Sequence, residues 1–141
     1  MILLDTNVIS EPLKLAADAG VLAWIDAQSI DTLYLSAISL AELRFGIAAL
    51  PAGKRKDTLH HGLEQRILPL FADRILPFDA AASQTYAEIL SAARAHGKAI
   101  SNADGYIAAT AKRHGFMVAT RDASPFEAAG VTVINPWTVQ H

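Results

Sequence analysis

The chain opens with Met1-Ile2-Leu3-Leu4-Asp5-Thr6-Asn7-Val8-Ile9-Ser10, and the fold is predicted outward from this stretch. Its apolar residues run directly into Asp5 with no alternation of polar and apolar side chains. That pattern predicts a short strand buried on both faces, with Asp5 at its carboxyl end. A carboxylate in this position either caps the next turn or belongs to a charged site that acids from distant segments complete.

The composition predicts one globular domain of residues 1–141 with a dense apolar core. Hydrophobic residues make up 52% of the chain and charged residues 18%, which argues against disorder. The absence of cysteine excludes disulfides, thiolate metal sites and cysteine nucleophiles. No membrane span or signal peptide is recognisable, so we expect a cytoplasmic protein with no membrane partner. A net charge of −2 does not decide whether the protein binds nucleic acid.

Strand-like segments alternate with helix-like segments along the whole chain. After the first strand, the further strand candidates are residues 33–35, 75–78, 116–120 and 131–134. Pro77 lies inside the third candidate and favours an edge position for it. The alternation predicts a parallel sheet with helices on both faces and right-handed crossover connections.

Four acids from separate segments are predicted to meet at the carboxyl edge of this sheet. Asp5 follows the first strand and Asp122 follows the fourth. Glu42 is expected in the first turn of the helix after the second strand, and Asp104 in the first turn of the helix that leads into the fourth. Both helices begin at the edge where parallel strands end, which is the edge that carries ligand sites in such sheets.

Each acid also has a purely structural explanation. Ser39-x-x-Glu42 and Ser101-x-x-Asp104 match the capping box, in which serine and acid satisfy free backbone donors at a helix start. Asp5 and Asp122 are also in positions typical of turn acids. It is the convergence of all four on one edge that indicates a site.

Clustered carboxylates repel one another and require a counter-charge to remain ionised. The four segments contain no lysine, and Arg121 supplies one positive charge. A divalent cation is the natural neutraliser, and oxygen ligands favour Mg²⁺ or Mn²⁺. Such an ion activates water and neutralises phosphoryl oxygens, which predicts phosphodiester hydrolysis.

The acidic segments resemble those of the PIN domain and, more narrowly, those of the VapC toxins of type II toxin–antitoxin pairs. The resemblance lies in Leu4-Asp5-Thr6-Asn7, Ser39-Leu40-Ala41-Glu42-Leu43, Ala103-Asp104-Gly105-Tyr106-Ile107-Ala108-Ala109-Thr110-Ala111 and Ala119-Thr120-Arg121-Asp122. Ile9-Ser10-Glu11-Pro12, residues 59–78 and Ile134-Asn135-Pro136-Trp137 are similar to the FitB-like branch of that family. The similarity extends over the whole chain in order.

This resemblance implies a three-layer α/β/α fold with a central, mainly parallel five-stranded sheet. It implies a Mg²⁺-dependent ribonuclease, with Mn²⁺ as a substitute, that hydrolyses RNA and is inhibited by a small DNA-binding antitoxin. A homodimer and a larger toxin–antitoxin complex on operator DNA are further expectations from the same resemblance.

The family's catalytic acidic positions fall on Asp5, Glu42, Asp104 and Asp122. By resemblance, Asp5 and Asp104 contact the metal directly, whereas Glu42 and Asp122 act directly or through water. Thr6 and Thr120 fall where small hydroxyl residues support the acids.

Two arginines are candidates for contact with the substrate. Arg121 belongs to the acidic turn. Arg44 points away from the face of Glu42, and a surface salt bridge explains Arg44 as well as a contact with substrate does. Many relatives carry a further acid just before a phenylalanine, but here that place reads Ser124-Pro125-Phe126. Asp122 therefore carries more of the charge on its side of the site.

Two other classes of protein were weighed against the nuclease. A receiver-like signalling domain needs paired acids around its first strand and a lysine after its fifth, whereas this chain has one acid there and Asn135. A non-catalytic protein-binding module with an acidic pocket would keep the fold without the chemistry. Cleavage of RNA distinguishes the nuclease from both.

Overall fold

The computed structural model describes residues 1–139; Gln140 and His141, which the predicted domain includes, lie outside the described part. Its centre is a five-stranded sheet in which every described strand pair is parallel, in the order β3-β2-β1-β4-β5. The strands are β1 (Ile2–Leu4), β2 (Leu33–Ser36), β3 (Ile75–Leu76), β4 (Met117–Ala119) and β5 (Val133–Ile134). The parallel α/β fold predicted from the sequence is confirmed.

Seven α-helices connect and cover these strands within residues 1–139. They are α1 (Thr6–Ser10), α2 (Ala19–Ala27), α3 (Ala37–Ala48), α4 (Lys54–His61), α5 (Ala80–Ala95), α6 (Asn102–His114) and α7 (Ala123–Ala128). A π-helical turn, Gly62–Ile67, and a 3-10 turn, Leu68–Phe71, continue α4 toward β3. No helix in this part of the chain is long and apolar enough to span a membrane.

β1 is the central strand and is buried on both faces, as its unbroken apolar sequence predicted. Ile2 and Leu4 pack on one face with α1, α2 and α3, where Trp24 is a core residue. Leu3 points to the opposite face and packs with α5, α6 and α7. The alternation of side chains along one strand therefore divides the interior into two apolar layers.

The predicted edge position of the third strand is confirmed, since β3 is the last strand on its side of the sheet. Several predicted bounds were too long. β3 ends before Pro77, and β5 begins at Val133 rather than at residue 131. The short helix α7 after β4 was not predicted.

The strand register brings the acid-bearing segments to one level. Leu4 pairs with Leu35 of β2 and with Ala119 of β4, so the next residues of the three segments lie level with one another. Asp5, Ser36 and Thr120 are the residues at that level. This edge therefore collects side chains from positions more than 100 residues apart in sequence.

The tight packing of α6 on α5 depends on Gly105. A Cβ atom added there would lie 2.9 Å from Leu90 Cδ1 and 2.9 Å from Tyr86 Cε2. By contrast, Gly46 in α3 has no atom within 4 Å of such a Cβ.

These two helical glycines give a paired prediction for stability. Gly46→Ala should raise the free energy of unfolding by about 0.5–1 kcal/mol through helix propensity. Gly105→Ala should lower the free energy of unfolding by about 1–2 kcal/mol, because overpacking against α5 outweighs the gain in helix propensity. Urea denaturation followed by circular dichroism measures both, and a stabilised Gly105→Ala protein would contradict the close packing of α5 and α6.

Candidate active site

Asp5 is the buried centre of the carboxyl edge, with 5% of its surface exposed. Its backbone N–H donates to the carbonyl of Ala119 at 2.9 Å, which continues the sheet one residue beyond β1. Its Oδ1 accepts the N–H of Thr6 at 2.8 Å and so caps α1. Its Oδ2 accepts the hydroxyl of Thr120 at 2.8 Å. Asp5 is thus both a helix cap and a member of the predicted site.

The hydroxyl of Thr120 is completely buried and its orientation is determined by its neighbours. It accepts the backbone N–H of Asp122 at 3.1 Å and the side-chain amide of Asn7 at 3.4 Å. A hydroxyl has two acceptor positions and one proton. Because two N–H donors face the oxygen, the proton is directed to Asp5.

Asn7 is a site residue that the sequence reasoning missed. Besides donating to Thr120, it accepts the backbone N–H of Arg121 through Oδ1 at 3.3 Å. It therefore ties α1 to the turn after β4. Its place in the Leu4-Asp5-Thr6-Asn7 motif was a signal, but the motif does not say which segment the amide reaches.

Glu42 does not lie in the first turn of its helix, and the predicted capping box with Ser39 is wrong. The helix α3 begins at Ala37 immediately after β2, and Ser36 is its N-cap, accepting the N–H of Ile38 at 3.0 Å. Ser39 is therefore inside the helix, and Glu42 is in the second turn. Glu42 nonetheless reaches the site, because the hydroxyl of Thr6 donates to its Oε1 at 2.7 Å.

Asp104 lies where the sequence placed it, and the serine half of its capping box is present. Ser101 caps α6 by accepting the N–H of Asp104 at 3.3 Å, and its hydroxyl donates to Asp104 Oδ2 at 2.9 Å. The capping role does not exclude a second one, because a carboxylate has about four acceptor positions.

The pKa of Asp5 is affected by two of the other three acids. Its net value is raised from 3.8 to about 6: burial is the largest cause, the hydrogen bonds from Thr120 and Thr6 lower the pKa, and the negative charges of Asp104 and Glu42 raise it. These two acids therefore lie within electrostatic range of Asp5, as the convergence argument required.

Asp122 follows β4 as predicted, but its side chain is exposed and does not cap α7. Its connection to Asp5 runs through the backbone N–H that it donates to Thr120. Asp104 and Glu42 therefore act electrostatically on Asp5, whereas Asp122 is linked to it only through Thr120.

The two predicted arginines have different surroundings. Arg44 forms a two-point ion pair with Glu64, with N···O distances of 2.8 and 3.0 Å, so the salt-bridge alternative describes it. Arg121 is exposed, and its guanidinium carbon lies 5.0 Å from the ring centre of Trp137. Arg121 is therefore the arginine held beside the acidic edge.

The donor set suits a hard divalent cation. Carboxylate and hydroxyl oxygens line the edge, and the pKa of Asp5 is raised chiefly by burial, with smaller contributions from the charges of Asp104 and Glu42. Among residues 1–139, no three acidic or histidine side chains already stand at the spacing of a complete ligand cage. Mg²⁺ tolerates this, since proteins bind it through one or two carboxylates while it keeps several waters. Asp5 and Asp104 would be the two carboxylates.

Comparison with known proteins agrees with this architecture. The family model described as PIN domain matches residues 2–131. The chain is 64% identical to VapC ribonuclease Y4jK of Sinorhizobium fredii over 97% of this chain and 98% of that protein. It is 60% identical to Toxin FitB of Neisseria gonorrhoeae over 97% and 99% of the two chains. The solved structure of FitAB bound to an IR36 DNA fragment superposes with a TM-score of 0.95 at 57% identity, covering 100% of this chain and 99% of that one.

The pKa of Asp5 predicts how stability depends on pH in the metal-free protein. The pKa of Asp5 is about 6 in the folded protein and 3.8 in the unfolded chain, so between pH 3.8 and about 6 the folded protein binds more protons. The protonated carboxyl therefore stabilises the fold by about 3 kcal/mol below pH 3.8. This stabilisation is lost as the pH rises through about 6.

Asp5→Asn is neutral throughout, so its free energy of unfolding should rise relative to wild type as pH increases from about 4 to about 7. Urea denaturation in EDTA measures this difference. Asp26→Asn, which changes an exposed acid of α2, should track the wild type at every pH. Parallel curves for wild type and Asp5→Asn would contradict a raised pKa at Asp5.

Proposed function

The chain belongs to the VapC toxins of the PIN-domain family, and from that premise we propose that it is a Mg²⁺-dependent ribonuclease, the toxin of a toxin–antitoxin pair. The observation that carries this proposal is the convergence of Glu42 and Asp104 on the buried Asp5, whose pKa is about 6. Such a group of carboxylates is costly for folding and suits a bound cation. The reaction is hydrolysis of an RNA phosphodiester bond, with water attacking in line with the leaving oxygen.

Mg²⁺, or Mn²⁺ in its place, would supply an acidified water and neutralise charge on the transferring phosphoryl group. The chain's own residues would hold and orient that ion. Asp5 and Asp104 would bind it directly, and Glu42 and Asp122 would bind it directly or through water.

Hydroxyl groups keep these carboxylates in position. Thr120 directs its proton to Asp5, and Thr6 directs its proton to Glu42. Ser101 does the same for Asp104. At Asp5 this hydrogen bond lowers the pKa and so favours the ionised carboxylate, which is the form that binds a cation.

Arg121 is the proposed contact to the RNA backbone. It is exposed beside the acidic edge, and its guanidinium lies over the ring of Trp137. Arginine recognises phosphate by paired hydrogen bonds. Arg44 contributes to substrate binding only if it leaves Glu64.

The proposed partners follow from the relatives. FitAB has been solved bound to an IR36 DNA fragment, and a crystal structure of FitAcB from Neisseria gonorrhoeae is similar to this chain. We extend this to a homodimer of the present chain that binds a small DNA-binding antitoxin and assembles with it on operator DNA. The toxin would then act in the cytoplasm, where its RNA substrate is.

Family membership leaves no support for a receiver-like domain. A non-catalytic binding module remains the alternative outcome of an activity test. That test also distinguishes metal-assisted hydrolysis from background cleavage.

Asp104→Asn should lower RNA cleavage by roughly 100-fold or more, because it neutralises a group that holds the cation. Asparagine has the size of aspartate and retains an oxygen for Ser101, so the fold should persist. The assay incubates purified protein with RNA and Mg²⁺, with and without EDTA, and sequences the RNA ends.

Asp26→Asn serves as the matched control and should cleave like wild type. Full activity of Asp104→Asn, or cleavage that survives EDTA, would exclude the proposed mechanism. A folded wild type that cleaves no RNA at any Mg²⁺ concentration would favour the binding module.

A further inference from the structure

Phe45 is the one aromatic residue among the exposed large hydrophobic residues of the described chain, residues 1–139, with 74% of its surface exposed. It belongs to α3, the helix that also carries Glu42. A single exposed apolar side chain is common on protein surfaces, so the surroundings of Phe45 decide what it indicates.

Phe45 lies on an exposed face of α3 that begins at the acidic edge. Glu42, Phe45, Gly46 and Ala49 are all exposed, and their spacing of i, i+3, i+4 and i+7 places them on one side of the helix. We call these four residues the α3 face. Glu42 is its end at the site, because the hydroxyl of Thr6 donates to Glu42 Oε1 at 2.7 Å. A Cβ atom added at Gly46 would meet no atom within 4 Å, so the surface beside Phe45 is open.

The other end of the α3 face meets a cluster of cations. Lys54, Arg55 and Lys56 are the first three residues of α4, and Lys56 Nζ donates to the carbonyl of Ala48 at 3.0 Å. Lys54 and Arg55 are exposed and form no salt bridge within residues 1–139. Cations in the first turn of a helix oppose its dipole, so their placement costs stability that a bound anion would offset.

We propose that the α3 face binds the stretch of single-stranded RNA next to the scissile bond, with one base stacked on Phe45 and with phosphates further along the strand contacting Lys54 and Arg55. The inference rests on the proposed function, which supplies RNA as the ligand and puts the scissile phosphate beside Glu42. Aromatic side chains that stack on bases, combined with cations that follow the backbone, are how proteins bind single strands. Because every base has a flat face, this contact is tolerant of sequence.

A second copy of the chain is the other natural occupant of an exposed apolar face. A copy packed along the α3 face would cover Glu42, which the proposed site needs open to RNA. The unpaired positive charge of Lys54 and Arg55 is complementary to the phosphate backbone. Both points favour RNA as the occupant.

The first test measures binding of a fluorescein-labelled single-stranded RNA by anisotropy in EDTA, where metal-dependent cleavage does not proceed. Phe45→Ala should weaken the Kd by about 5- to 150-fold, the effect of losing one stacked base. Phe45→Trp should bind at least as tightly as wild type. Phe45→Leu stays apolar but has no aromatic face, so it should bind as weakly as Phe45→Ala. Leu70→Ala, which truncates an exposed apolar residue outside α3, should bind like wild type.

The second test uses the salt dependence of the same binding. Replacing Lys54 and Arg55 together by glutamine should reduce the slope of log Kd against log salt by about 1.4, since each phosphate contact with a single strand contributes about 0.7. Replacing Arg94 and Arg113 together by glutamine removes the same charge from exposed positions of α5 and α6. This control should keep the wild-type slope.

Cleavage with Mg²⁺ gives a third measurement. Phe45→Ala should raise KM more than it lowers kcat, because a stacked neighbouring base contributes to binding in both the ground state and the transition state. A loss confined to kcat would contradict this role of Phe45.

Equal RNA affinities for wild type, Phe45→Ala and Phe45→Leu, or no binding by wild type, would overturn the proposal, whereas cleavage by wild type would still support the ribonuclease function. A change of oligomeric state in Phe45→Ala, measured by sedimentation velocity, would also overturn it, by assigning the α3 face to a second copy of the chain. Failure of the underlying function looks different: wild type would bind RNA through Phe45 but cleave none at any Mg²⁺ concentration. That result would support the α3 face as an RNA site and exclude the ribonuclease.

Discussion

The hydrogen bond from Thr120 Oγ1 to Asp5 Oδ2 is the constraint on which the site depends. It joins the ends of the two central strands, β1 and β4, at the point where the backbone ladder between them stops. It also lowers the pKa of a carboxyl group whose pKa burial raises, so that the net value is about 6. Without this donor, the ionised form of the buried Asp5 would be less favoured, and a neutral Asp5 is a poor ligand for a cation.

The other acids are held by the same kind of contact, from different segments. Thr6 donates to Glu42, and Ser101 donates to Asp104. Each hydroxyl belongs to a helix start or a strand end, which are positions where a short polar side chain already has a structural role. The site therefore reuses the capping chemistry of the fold, and the structural and functional explanations of these acids are not alternatives.

Prediction from sequence succeeded where the evidence was local. The buried strand before Asp5 and the N-cap at Ser101 were both confirmed. It failed where two local signals competed: Ser39-x-x-Glu42 matches a capping box, but the serine after β2, Ser36, caps the helix three residues earlier. A strand that passes directly into a helix leaves no loop to mark the boundary, so the motif was placed one turn too late.

The sequence by itself determined the order of the five strands and of the longer helices, the family resemblance and the choice of the four acids. Those features follow from apolar patterning and from motifs whose residues are neighbours in the chain. Only the tertiary structure decided that Asn7 contacts Thr120, that Arg44 pairs with Glu64 and that Ser39 is buried without a partner. These contacts join residues far apart in sequence, or depend on what a whole neighbourhood leaves unpaired. The physical reason is that register and packing set such distances, and neither is encoded in a local pattern.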